Sequence, residues 1–233
     1  MISEAAMADI LADLRKQIDA LDSQLVEMLT ARLELSRKVS AAKTDNGHIF
    51  RPAREAQLLS RLLADAPAGL QPLIPVVWRA IISSSIAEQR PNFTIAASLQ
   101  MRDIATNFSA GQLNLESFDS ADTGLQSLAA KKVDILLVSP SELSDLAPRL
   151  GKDETAMVIA RLPLVSPVSD TGKQAEIEGW IIARPPAEQA DGDRGVFYHQ
   201  DRNRIEITEL SRYEKIFGVR LLGYCTPLRP DPE

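Results

Sequence analysis

Apolar residues recur at Leu11, Leu14, Ile18, Leu21, Leu25 and Met28, skip position 32, and resume at Leu35 and Val39. Steps of three and four in alternation form one apolar seam along a helix, of the kind that packs lengthwise against another helix. The pattern predicts a first helix from about Ala8 to about Lys43, stopped by Thr44-Asp45-Asn46-Gly47. A second helix is expected from Pro52, a residue suited to a first helical turn, to about Ala66-Pro67. A third begins within Pro72 to Pro75 and runs to Gln89, where Arg90-Pro91-Asn92 closes the helical region.

Beyond Asn92 the period shortens. Strands are expected at Phe93–Ala96, Leu113–Phe118, Val133–Val138, Ala156–Val165, Gly179–Ala183, Ile205–Leu210 and Val219–Tyr224. Helices are expected in the stretch running to Phe108, at Thr123–Lys131 and at Ser141–Leu150, and Asp191-Gly192-Asp193-Arg194-Gly195 reads as a surface turn. Strands alternating with helices argue an α/β layer structure. The expected organisation is therefore an all-helical, three-helix domain at 8–90 followed by an α/β domain at 93–233.

A helix of 36 residues is a rod of roughly 54 Å. Ninety residues folded alone have a radius of gyration of only about 12 Å, so two shorter helices cannot cover such a seam. A second copy is the simplest cover, and an intertwined homodimer through helix one is expected.

Arg32 occupies the seam where an aliphatic residue is due. Periodicity alone leaves two readings open: a snorkelling or register-setting polar residue, or a cation awaiting an anionic ligand. Lys43 lies 11 residues further on, about 20° around the helix and about 16 Å along it, which leaves a gap the size of a small molecule. Arg15 lies 17 residues before Arg32, roughly 25 Å away, so it reaches the same small ligand only from the other subunit. On helix three, Trp78, Ile82, Ser85 and Gln89 share a face that ends in hydrogen-bonding groups.

Composition narrows the function classes. The first 90 residues hold 11 basic and 11 acidic side chains, and the remainder carries the whole net charge of −6. Neither part has the basic excess of a nucleic-acid binder. No apolar stretch approaches the ~20 residues of a membrane span, and residues 1–9 lack the basic residue of a signal peptide. The one cysteine, Cys225, suits a reducing cytoplasm, the expected location. His48 and His199 have no companions at metal-ligand spacing, so no metal site is expected and both histidines read as structural or surface residues.

Five segments resemble the all-helical class of chorismate mutases: Leu14-Arg15-Lys16-Gln17-Ile18-Asp19, Ala31-Arg32-Leu33-Glu34-Leu35, Val39-Ser40-Ala41-Ala42-Lys43, Arg51-Pro52-Ala53-Arg54-Glu55, and Ile81-Ile82 through Ser85 to Gln89. They stand in that family's order and spacing over about residues 8–90. The resemblance implies that Arg32, with Arg15 from the partner chain, clamps the two carboxylates of chorismate. It implies that Arg54 adds charge at the carboxylate end and that Glu55 accepts the ring hydroxyl. Lys43 and Gln89 would hydrogen-bond the ether oxygen as the C–O bond breaks, with Ser85 assisting at the ring. A unimolecular rearrangement to prephenate needs no nucleophile, metal or cofactor, only a gripped conformer and a stabilised oxygen. Arg51 stands where some members carry an acid, so Glu55 is expected to take more of the hydroxyl contact.

Residues 124–140 resemble the helix-to-strand segment of prephenate dehydratases, but that family's Thr-Arg-Phe motif has no counterpart here. The α/β domain is therefore expected to be a degenerate relative kept for packing. The other functions compatible with the sequence are a bifunctional mutase/dehydratase, an isochorismate-pyruvate lyase on the same helical fold, and a non-catalytic helical dimer presenting a regulatory α/β module.

Overall fold

A computed structural model describes residues 4–42, 49–150, 155–165, 176–185, 193–202, 204–208 and 219–225. The chain divides into two compact units, Met1–Asn46 and Gly47–Glu233.

The first unit is helix α1, Glu4–Ala42, of 39 residues, beginning earlier than the seam required. Its apolar positions are left open: Leu11 is 47% exposed, Leu25 53%, Met28 60% and Leu35 61%. Lys43, with Thr44 to His48, lies outside the described residues.

The second unit opens with α2, Pro52–Asp65, and α3, Leu73–Gln89, matching the helices expected there to within a residue or two. The strands are β1 Thr94–Ser98, β2 Asn114–Phe118, β3 Ile135–Val138, β4 Met157–Leu162, β5 Gly179–Ala183, β6 Arg194–His199, β7 Arg204–Thr208 and β8 Val219–Cys225. Helices α4 Arg102–Ser109 and α5 Ala121–Ala129 connect β1 to β2 and β2 to β3, and α6 Pro140–Leu146 follows β3. They build one eight-stranded mixed sheet in the order β2-β1-β3-β5-β4-β8-β6-β7. Strands β1, β2 and β3 are parallel, as connections through helices require, whereas β5 runs antiparallel to both β3 and β4.

Alternation along the strands feeds two cores. Ile95, Ile135, Leu137 and Ile181 point to the face covered by Ile86 of α3 with Ala105 and Phe108 of α4. Ala96, Leu136, Trp180 and Ile182 point to the other, covered by Leu128 of α5 with Leu143 and Leu146 of α6. Strands buried on both faces read as continuous apolar runs, which is how Ile135–Val138 looks in the sequence. A smaller cluster joins Leu59 and Leu63 of α2 to Ile74 of α3 and to Val165.

Local chemistry sets the ends. Ser139 and Glu142 form a capping box on α6, with the Ser139 N–H donating to the Glu142 carboxylate at 2.8 Å and the Glu142 N–H donating to Ser139 Oγ at 3.2 Å. Gly223 has φ 150°, and a Cβ there would lie 1.9 Å from the Val158 carbonyl oxygen, so only glycine lets β8 approach β4.

The turn expected at residues 191–195 needs correction. Asp191 and Gly192 lie outside the described residues, but Arg194 and Gly195 open strand β6, opposite Cys225 and Tyr224. Gly195 acts there as a strand residue, because ladder partners on both sides decide its conformation. Helix α6 starts a residue before the expected Ser141 and ends at Leu146. Strand β4 stops at Leu162, since Pro163 has no N–H to continue the ladder.

Candidate active site

Arg15 and Arg32 sit on the single helix α1, 17 residues and so roughly 25 Å apart. Arg15 is exposed like the seam around it, and Arg32 is partly buried. At that separation the two guanidiniums of one chain cannot grip one small dianion. Lys43 falls outside the described residues.

The second unit presents the remaining residues on two helices. Arg54 is exposed in the first turn of α2, and the adjacent Glu55 turns inward and is 4% exposed. On α3, Ser85 is buried and donates back to the Ile81 carbonyl at 2.9 Å. Gln89, the last residue of α3, lies one turn further on the same face and is partly exposed.

The structure adds a residue to this set: Arg79, whose Nη1 forms an ion pair with Glu55. Its Nε donates to Ser83 Oγ at 3.2 Å, and its guanidinium lies 4.5 Å from the centroid of the Phe108 ring. Burial pulls this guanidinium down to about 9, still protonated at neutral pH, and the Glu55 carboxylate is its counter-charge. Its Nη2 is buried without a hydrogen-bond partner. Arg79 is the only charged residue between Leu73 and Ala87, a lone cation in an apolar helix. That is the same signal that marks Arg32, and applied to α3 it points to Arg79.

A cavity of about 180 Å³ ends on this pair, walled by Leu59, Phe108 and Leu164 with Glu178 among its polar lining. It is close in size to the engineered ~150 Å³ apolar cavity that holds benzene. Its charged floor is internally neutralised, and neither Arg54, Ser85 nor Gln89 lines it. It therefore lacks the cationic grip that a dianion requires.

Residues 14–90 match the model of the family described as chorismate mutase type II. That stretch, about a third of the chain, is similar to the chorismate mutase type II domain. The match ends at Arg90, where the sequence pattern changes, and it runs across the division between the two compact units. The T-protein of Haemophilus influenzae is 38% identical over 84 residues, which is 35% of this chain and 22% of that protein. The chain thus spans about a fifth of the length of this curated relative. No solved structure matches.

Within the matched residues, Arg54, Glu55, Ser85 and Gln89 belong to the second compact unit, and Arg15 and Arg32 to the first. His48 lies outside the described residues; His199, on β6, is 3.3 Å from Glu206 across to β7. Cys225 is buried, and burial pushes its thiol up to about 11, which leaves it protonated and unreactive at neutral pH. No helix among the described residues is long and apolar enough to cross a membrane.

Proposed function

We propose that residues 14–90 convert chorismate to prephenate, working as a homodimer joined through α1. The observation that carries this reading is the type II match, laid over a helix whose apolar seam is interrupted by an arginine. Arg32 and Arg15 of the partner subunit grip the two carboxylates, with Arg54 adding positive charge, and so hold the compact conformer in which the new C–C bond forms. Lys43 and Gln89 donate to the ether oxygen, where negative charge builds as the C–O bond lengthens. An amide at position 89 donates at neutral pH, where a carboxyl would first have to be protonated. Ser85 assists at the ring. Glu55 accepts the ring hydroxyl, on a carboxylate that also pairs with Arg79. The rearrangement is intramolecular, so these residues hold and polarise and no cofactor takes part in the step.

For residues 93–233 we propose a packing role without dehydratase activity. The late strand β5, preceded by Glu178, is followed by Arg184, and the arginine is engaged in structure. It donates to the carbonyls of Leu128 and Val133 at 2.8 and 2.7 Å and lies 3.8 Å from Asp134. A reducing cytoplasm is the location that fits the lone thiol.

The test is a spectroscopic assay of chorismate loss by the purified full-length chain, with the product identified. Prephenate supports the reading. No loss of chorismate, or pyruvate released from isochorismate instead, contradicts it. Phenylpyruvate formed from prephenate above background would give the second domain its own catalysis.

A further inference from the structure

The arginines sunk into the second unit are matched with care, with one exception. Arg79 has Glu55, Ser83 and the Phe108 ring, and Arg184 has two carbonyls and Asp134. Arg220 donates to the carbonyls of Ala147, Pro148 and Leu150 at 3.4, 2.9 and 3.2 Å, closing the end of α6. Arg161 on β4 is only 9% exposed, yet among the described residues it has no hydrogen bond or ion pair, and its Nε is buried without a partner.

Register shows where this guanidinium sits. Arg161 stands opposite Trp180 of β5, so the two share a sheet face, and Trp180 packs with Val196, Tyr198, Leu222 and Cys225. Arg194 opens β6 directly opposite Cys225, the last residue of β8, and so lies on the same face. Because β4 and β8 are parallel and β6 runs against β8, Arg161, Cys225 and Arg194 gather at one end of three neighbouring strands. Burial lowers the Arg161 guanidinium from its ordinary value, an ionised Cys225 would offset this in part, and Arg194 lowers it further. The two arginines therefore feel one another; the Asp193 carboxylate acts on the adjacent Cys225, and Arg161 Nε has no hydrogen-bond partner.

A guanidinium buried among apolar side chains without a counter-charge costs several kcal/mol. Guanidinium is also the cation best shaped to take a planar carboxylate or a phosphate through two parallel N–H bonds. We propose that Arg161, with Arg194 beside it, anchors a binding site for a small oxyanion, a carboxylate or a phosphate, at this end of β4, β8 and β6. The site is separate from the proposed mutase residues, none of which lies on these strands.

Thermal unfolding of the full-length chain tests this at constant ionic strength, with chloride replaced by inorganic phosphate or by malonate. One probe should raise the unfolding temperature by about 3 °C near saturation, and which of them does so separates a phosphoryl ligand from a carboxylate. Arg161→Met should unfold at or above the wild-type temperature in chloride, since an unmatched charge is gone, and should lose the anion-dependent rise. If that variant fails to fold, Arg194→Met takes its place and should cut the rise by at least about half. No rise with either probe, or an equal rise in wild type and variant, overturns the proposal. The readout is stability and not turnover, so either result leaves the chorismate reading standing on its own assay.

Discussion

Helix α1 and the eight-stranded sheet draw on the same aliphatic residues and use them in opposite ways. In the sheet, Ile95, Leu137, Ile181 and Ile182 are fully buried, with helices closing both faces. On α1, the aliphatic seam residues from Leu11 to Val39 stand 47–61% exposed, in a row about 42 Å long. Burying one such side chain contributes about 1.5–3 kcal/mol, so a seam of this length left in water is a large unused driving force. Monomeric proteins rarely expose a continuous apolar stripe of this extent. The sheet is covered by helices of its own chain, and the proposed homodimer is what would cover the seam of α1.

The largest effect should come from breaking that seam. Leu21→Glu combined with Leu25→Glu should abolish association and measurable chorismate turnover. The sheet unit should keep the fluorescence signature of buried Trp180, 3% exposed in the core. Sedimentation, the activity assay and fluorescence read the three parts separately, and a variant that stays dimeric would erase the contrast between the two regions. Arg79→Ala comes next. It strands Glu55 in the interior and should cost about 3–5 kcal/mol in denaturant unfolding, the scale for removing one partner of a buried pair. A loss under about 1 kcal/mol would mean that the pair is solvated like a surface bridge. Arg32→Ala and Lys43→Ala should each lower kcat/KM by roughly a hundredfold while leaving unfolding nearly unchanged, since each removes a preorganised contact and not a core residue. Near-normal kinetics would show that the reacting groups lie elsewhere.

The two regions also differed in how legible they were. Helices announced themselves through period and punctuation: Pro52 opens α2 and Pro91 follows α3, and both helices run close to where the sequence set them. Strand β6 did not, because Gly195 beside an Asp-Gly run signals a turn locally, while the ladders to β7 and β8 that override the signal are made by residues far along the chain. Strand order is likewise invisible locally: nothing near Val158 announces that Gly223 will pair with it. Of the proposed site, Arg32 was legible as a cation on an apolar seam. The partner that takes up Glu55 was not, since Arg79 lies 24 residues away on another helix and only tertiary packing joins them.

The central claim is that each mutase site is completed by two copies of α1, and mixing two inactive variants tests it most directly. Arg15→Ala and Arg32→Ala, each inactive alone, are combined and allowed to exchange subunits. A mixed dimer then has one site with both arginines and one with neither. With random pairing, half the dimers are mixed, so the mixture should recover about a quarter of wild-type activity. Failure to recover after exchange has been demonstrated would contradict the account, because both arginines would then have to act from one chain across roughly 25 Å.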